Sequence, residues 1–222
     1  MKTGILYIVA TPIGNLEDIT LRALAILKEV DFVAAEDTRK TIKLLNRYQI
    51  KTPQISYHQH SKIEKIDYIV GKLLEGKNIA YVSEAGTPGI ADPGQILIKK
   101  AIESNIDVIP MPGAQAASTA LSISGMPADK FLFLGFLPKK KGRQTLLNQL
   151  KDLSLVKTIV IYESPYRIIK TLNNLQDYLG DVEVVVCREL TKKFETVYRG
   201  QVSQVLPQIK PKGEFVIIIN RK

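Results

Sequence analysis

Between Tyr81 and Gly94 the chain reads YVSEAGTPGIADPG. An apolar opening gives way to three glycines, two prolines, two acids and two hydroxyl residues, with almost no bulky side chain among them. Glycine permits positive φ and lets a ligand approach the main chain, while proline fixes φ and stiffens a turn. The chemistry such a loop suits is recognition through peptide N–H and C=O groups. Other sets of residues invite a chemical reading and give less. GKLLEGKN (71–78) matches G-x-x-x-x-G-K, but it lies in an amphipathic helical pattern, and Asn78 stands where Ser or Thr would bind magnesium. No G-x-G-x-x-G occurs. His58 and His60, the only histidines, sit two apart in SYHQHSK and do not complete a zinc site, so no metal is expected. They read better as a loop pair facing substrate or solvent. With no third histidine and no G-x-S-x-G, a serine-hydrolase triad has little support. Cys187, within VEVVVCRE, reads as a buried strand residue.

These residues need elements to hold them. Apolar, β-rich runs recur at ILYIVAT (5–11), DFVAAED (31–37), IAYVSEAG (79–86) and DVIPMPG (107–113). The second half adds FLFLGFLP (131–138), TIVIYES (158–164), EVVVCRE (183–189) and EFVIIIN (214–220). Several are continuously apolar, as strands covered on both faces are. Helical patterns alternate with them. Ser61 and Glu64 form a capping box, and Gly76 stands at the C′ position of that helix. Ser164, with Pro165 at N1, opens a helix that Gly180 closes. The expected fold is α/β, with largely parallel pairing in the first half. MPGAQ near residue 112 marks a hinge between domains 1–112 and 113–222.

The unusual loops fall at strand ends: ATPIGN (10–15), AEDTR (35–39), SEAGTPGIADPG (83–94), MPGAQ (111–115) and ESPYR (163–167). In open α/β sheets ligands bind outside the carboxyl ends of the strands, so these loops are expected to build one pocket.

Composition narrows the class. Of 222 residues 45% are hydrophobic and 24% charged, ordinary values for a soluble globular protein able to bury a core. A single cysteine excludes an intramolecular disulfide and points to a reducing compartment. The N-terminal apolar run reads as a first strand rather than a signal peptide, and no apolar stretch is long enough to span a membrane. The cytoplasm is the expected location. Thirty-one basic residues against 22 acids give a net charge of +9, which fits a polyanionic partner. The basic clusters are Lys139, Lys140, Lys141 and Arg143, then Lys192 and Lys193, then Lys210, Lys212, Arg221 and Lys222.

Taken together, LYIVATPIGNLEDITLRALAIL, AAEDTRKTIKLL, SEAGTPGIADPG, SGMPADKFLFLGFLPKKKGR, IYESPYRI, RELTKKFE and KGEFV resemble the ribosomal RNA small subunit methyltransferase I family. The resemblance runs in order over nearly the whole chain. It implies the tetrapyrrole-methylase fold, two α/β domains with S-adenosylmethionine bound in the cleft between them, and a homodimer. It also implies methylation of a cytidine ribose 2′-oxygen in the decoding region of 16S rRNA, the assembled small subunit as partner, and no membrane or DNA partner. Carried onto this chain, the cofactor loops are Pro12 to Gly14, Ser83 to Thr87 with Ala85 and Gly86, and Pro112 to Gln115 with Gly113 and Ala114. Phe136, Ser164 and Gly213 are further additions. Glu84 stands where the family commonly has Asp, Gln115 and Tyr166 where it has Ser and His, and Ala91 where it has Ser.

Methyl transfer to a ribose hydroxyl needs an in-line arrangement and help in losing a proton. The candidate bases are Glu36, Asp37 and Glu84, with Glu163 behind them. Each has another reading: Asp37 as N-cap of TRKTIKLLNRY, Glu36 as partner of Arg39, Glu84 as acceptor of backbone N–H groups in its own loop. Positioning alone, with solvent taking the proton, is a further alternative. Arg39, Lys40, Lys140, Lys141 and Arg143 are the phosphate-contact candidates. Two rival functions remain: a tetrapyrrole C-methyltransferase of the same fold, and a ribosome assembly factor without turnover.

Overall fold

The computed structural model describes residues 2–58, 63–153 and 155–221. The chain divides into two compact units, Met1–Gln115 and Ala116–Lys222. In the first unit the elements are β1 (Ile5–Val9), α1 (Leu21–Glu29), β2 (Phe32–Ala35), α2 (Thr38–Arg47), β3 (Gln54–Ser56), α3 (Ile63–Leu74), β4 (Ile79–Val82), α4 (Gln95–Glu103) and β5 (Asp107–Met111). The strands form one sheet in the order β3-β2-β4-β1-β5, and every pairing is parallel. Parallel neighbours require a crossover, which the intervening helices and loops supply.

Period-two alternation sends successive residues of one strand to opposite faces, and here both faces are cores. Ala34, Ile79 and Tyr81 pack with Ile66, Ile69, Leu73, Leu97 and Ala101 of α3 and α4. Their neighbours Val33, Ala35, Ala80 and Val82 pack with Ala23, Leu27, Leu44 and Leu45 of α1 and α2. That double coverage explains why DFVAAED and IAYVSEAG carry unbroken apolar runs. The helix α3 ends as the sequence predicts: Gly76 has φ +88, its N–H donates to the Leu73 carbonyl, and the Lys77 N–H reaches back to Lys72. Gly71 lies inside α3, so GKLLEGKN is helix and turn rather than a phosphate loop. Ser61, the other half of the expected capping box, and His60 lie outside the described residues.

The second unit contains α5 (Ala116–Ser122), β6 (Phe131–Phe136), α6 (Arg143–Lys151), β7 (Thr158–Glu163), α7 (Ile168–Leu179), β8 (Glu183–Arg188), β9 (Thr196–Gln201), α8 (Val202–Val205) and β10 (Phe215–Asn220). Its sheet runs β6-β7-β10-β8-β9, with β6 and β7 parallel and the remaining pairs antiparallel. One face packs Ile159, Ile161, Val184, Val186, Ile217 and Ile219 against Leu147, Leu150, Leu172, Leu175, Val202 and Val205 of α6, α7 and α8. Cys187 is fully buried in β8, and burial pushes its thiol up to about 11, which leaves it inert.

Two strands escape the sequence reading. The three residues of β3 are too few to show a period, and β9, TVYRGQ, is a polar edge strand. The α7 helix also begins at Ile168, later than Pro165 predicts. Residues Ser164–Arg167 form a turn in which the Arg167 and Ile168 N–H groups both donate to the Ser164 carbonyl.

Candidate active site

A parallel sheet delivers every strand's carboxyl end to one edge, so the segments after β1, β2, β4 and β5 gather there. Three of them are knitted together through main chain. Thr11 and Gly86 exchange backbone hydrogen bonds of 2.9 and 3.0 Å, and the Thr87 hydroxyl donates to the Ala114 carbonyl at 3.2 Å. Glycine is required at two of the contacts. Gly86 has φ +81, and a Cβ there would lie 3.3 Å from the Ile13 side chain and 3.5 Å from the Ala114 oxygen. A Cβ on Gly113 would lie 2.9 Å from that of Ala10. The far end of the long loop is fixed by Tyr81, whose buried hydroxyl donates to the Pro93 carbonyl at 2.7 Å. Pro12 and Ser83 are buried, whereas Gly14, Ala85, Pro112 and Gly113 are exposed. The result is a main-chain cradle. Thr11 adds a buried side-chain oxygen with no hydrogen-bond partner among the described residues.

Beside it lies an acidic set built by β2 and β4. Glu36, directly after β2, accepts the Glu84 N–H at 3.3 Å. Lys40 of α2 forms an ion pair with the Glu84 carboxylate. Asp37 caps α2 by accepting the Arg39 N–H at 2.9 Å, and it binds the Arg39 guanidinium through two bonds of 3.1 and 3.0 Å. An open depression of about 320 Å³ is lined by Glu36, Asp37, Thr38, Arg39, Ser56, His58 and Glu84. The three acids differ in consequence. Hydrogen bonds from Arg39 hold the Asp37 carboxyl down to about 2, so it is a poor proton acceptor. Burial raises Glu36 above the usual glutamate range, with the charges of Asp92 and Glu84 adding to it and the Glu84 N–H and Lys40 opposing it. Burial likewise raises Asp92, against a hydrogen bond from Ser83.

Two local readings therefore change. Arg39 pairs with Asp37 rather than Glu36, because the cap already points Asp37 at the Arg39 backbone. Among the described residues Glu84 accepts no backbone N–H bond in its loop; it donates its own N–H to Glu36 and gives its carboxylate to Lys40. Asp92 was missed among the candidate acids, since its effect on Glu36 follows from the fold of the loop and not from any spacing. Among the described residues no three His, Cys, Asp or Glu side chains are placed to hold a metal ion.

In the second unit Phe136, Ser164 and Gly213 fall along one sheet edge. Phe136 pairs with Tyr162, Ser164 follows Glu163, and Glu163 pairs with Phe215, two residues beyond Gly213. Two candidates there are corrected. Arg143 is buried, its guanidinium donating to Asn174 at 3.1 Å, the Pro138 carbonyl at 3.3 Å and Thr171 at 2.8 Å. Desolvation lowers its pKa, and a side chain so enclosed does not reach a phosphate. Glu163 is also enclosed: it accepts the Thr171 hydroxyl at 2.6 Å and the Ser164 N–H at 2.7 Å, and pairs with Arg167 at 2.7 Å. It is a structural anchor, not a base. Lys140 and Lys141 are exposed; Arg39 is exposed with its guanidinium held by Asp37.

Comparison with known proteins places this geometry. Residues 5–206 match the model of the tetrapyrrole (corrin/porphyrin) methylases. Ribosomal RNA small subunit methyltransferase I of a Synechocystis species is 50% identical over 221 residues, covering 97% of this chain and 78% of the relative. The protein of that name from Thermotoga maritima is 45% identical and covers 99% of both chains. A uroporphyrin-III C-methyltransferase from Thermus thermophilus, complexed with S-adenosylhomocysteine, shares the fold at a TM-score of 0.67 and 17% identity, over 98% of this chain and 97% of that one. On these likenesses the chain belongs to the tetrapyrrole methylase family and, within it, to the ribosomal RNA small subunit methyltransferase I group.

Proposed function

We propose that this enzyme transfers a methyl group from S-adenosylmethionine to the ribose 2′-oxygen of a cytidine in the decoding region of 16S rRNA. The assembled small subunit is the substrate, and a cytoplasmic homodimer is the working form. The observation that carries the reading is a main-chain cradle lying beside a carboxylate raised above its usual range. The first unit's edge fits the cofactor on two counts: the buried Thr11 hydroxyl, without a partner among the described residues, and strand-end loops drawn close enough by Gly86 and Gly113 to line one edge with main chain. Pro12 to Gly14, Ser83 to Thr87 and Pro112 to Gln115 are the segments that would hold it, with Phe136, Ser164 and Gly213 assigned from the second unit. When bound, S-adenosylmethionine supplies an electrophilic methyl group on a positively charged sulfur.

Glu36 is the side chain best suited to take the 2′-hydroxyl proton on a carboxylate oxygen. Its burial raises its basicity, and Arg39, three residues on, is bound by Asp37. Asp37 and Glu84 serve it from the sides, Asp37 by occupying Arg39 and Glu84 by fixing Glu36 through its N–H. Lys140 and Lys141 are assigned to RNA phosphates, and Lys40 and Arg39 to the rim of the depression.

The test uses cofactor carrying a labelled methyl group and small subunits lacking the modification, followed by alkaline hydrolysis of the RNA. Alkali cleaves through a free 2′-oxygen, so label on that atom appears in a resistant dinucleotide, the expected result. Label in mononucleotides would place the methyl on a base. Labelling of a porphyrinogen acceptor in place of RNA would favour the tetrapyrrole reading.

A further inference from the structure

The turn between β8 and β9, residues 189–195, has no role assigned above, yet it is built with care. Glu189 and Thr191 adopt φ +51 and +63, a region that a β-branched threonine rarely enters. Such backbone persists only when surrounding contacts fix it, and it concentrates where a protein binds or reacts. Here the contacts are plain. Glu189 accepts the Glu214 N–H at 2.9 Å and the Lys192 ammonium at 2.9 Å, and Lys192 also binds Glu214 at 2.7 Å. Glu195 accepts the Thr191 N–H at 2.6 Å. The Arg188 guanidinium donates to the Lys212 and Phe194 carbonyls and so ties this turn to the segment before β10. A Cβ on Gly213 would lie 2.5 Å from the Glu189 carboxyl carbon, so glycine there makes room for the brace.

What the brace presents is an aromatic ring in water. Phe194 is 63% exposed, and the exposed Lys193 ammonium lies 5.8 Å from the ring centroid. Lys192 is bonded to Glu189 and Glu214, which leaves Lys193, Lys210 and Lys212 as the exposed cations of the two tied segments. A benzyl side chain on a rigid turn, with one lysine beside the ring and two more exposed on the segment tied to it, matches the requirements of single-stranded nucleic acid: a flat apolar face for a base and positive charge for the backbone.

We propose that the β8–β9 turn is an RNA contact in which an unstacked nucleobase lies on the Phe194 ring while Lys193, Lys210 and Lys212 meet flanking phosphates. This rests on the reading of the chain as an rRNA methyltransferase, and it adds a binding element on the second unit. The sequence contains no tryptophan, so Phe194→Trp introduces a single indole at the tip of the turn.

The experiment titrates the full-length wild type, Phe194→Trp, Phe194→Leu and Phe194→Ala with a single-stranded RNA oligonucleotide and with unmethylated small subunits. S-adenosylhomocysteine affinity is the control for an intact fold. The expected result is quenching of the indole on RNA addition, near wild-type affinity for Phe194→Trp, and about tenfold weaker binding for Phe194→Leu and Phe194→Ala, with cofactor-product affinity unchanged. Wild-type RNA binding that Phe194→Ala retains in full would overturn the proposal and leave the enzyme reading intact. Indole quenching on concentrating the protein without RNA would overturn it in favour of a protein–protein contact. A wild type that binds neither RNA would instead remove the reading on which the proposal rests.

Discussion

Two glutamates occupy equivalent places in the two units. Glu36 directly follows β2 and Glu163 ends β7, each after an apolar strand and each with an arginine three or four residues further on. In sequence they look alike. In the structure Arg167 turns back to Glu163 at 2.7 Å, and Thr171 and the Ser164 N–H complete its shell, leaving its side chain 0% exposed. Arg39 turns instead to Asp37, and Glu36 accepts the Glu84 N–H at 3.3 Å, with its proton affinity raised. A strand-end acid is a structural anchor when cation, hydroxyl and backbone donor all converge on it. It can exchange a proton when a neighbouring acid takes the cation. The difference lies in one residue, Asp37, which Glu163 has no counterpart for: Ser164 stands in that place.

The contrast can be broken most forcefully at Glu163. Replacing it by alanine removes the carboxylate that Arg167 and Thr171 share and leaves the Arg167 guanidinium only its bond to the Leu137 carbonyl among the described residues, and removing one partner of a buried pair costs about 3–5 kcal/mol. Urea unfolding should show that loss, and Arg143→Ala should also lower stability while leaving the salt dependence of RNA binding as in the wild type. The first unit answers to backbone shape instead. Gly86→Val forces a β-branched residue to φ +81 against Ile13, a strain of about 1–3 kcal/mol, so S-adenosylhomocysteine affinity measured by calorimetry should fall roughly tenfold or more. The smallest effect belongs to the exposed lysines. Alanine at Lys140 and Lys141 together should flatten the slope of log affinity for RNA against log salt by about 1–2, with cofactor-product affinity unchanged.

Much of the frame was legible in the sequence because strands buried in a core announce themselves as apolar runs, whichever way they pair, and all eight of those runs contain strands. What escaped was short or polar, as β3 and β9 are. The loops after β1, β4 and β5 stood out in the sequence by their glycines, and at Gly86 and Gly113 the close main-chain packing demands that residue type. Glu36, Asp37 and Glu84 could be named one by one as acids in strand-end loops, but not the contact between them, since Glu36 and Glu84 are 48 residues apart and are brought together by the β2–β4 pairing. Arg143 was misread although a signal was present. In KKKGR it looks like the last member of a charge run, but Arg143, Leu147 and Leu150 form the buried stripe of α6 at helical spacing. A charge at a stripe position belongs to the interior even when three lysines precede it.

The measurement that bears most directly on the account is the pH dependence of single-turnover methyl transfer to small subunits by the wild type and Glu36→Gln. If Glu36 takes the proton, the wild-type rate falls as pH drops through its raised pKa, at a higher pH than an ordinary glutamate would give. The substitution should then lower the rate about a hundredfold or more and abolish that limb, with S-adenosylhomocysteine affinity within about threefold of wild type. A Glu36→Gln enzyme that keeps the wild-type rate and the same acid limb would contradict the account, and solvent or another group would have to accept the proton.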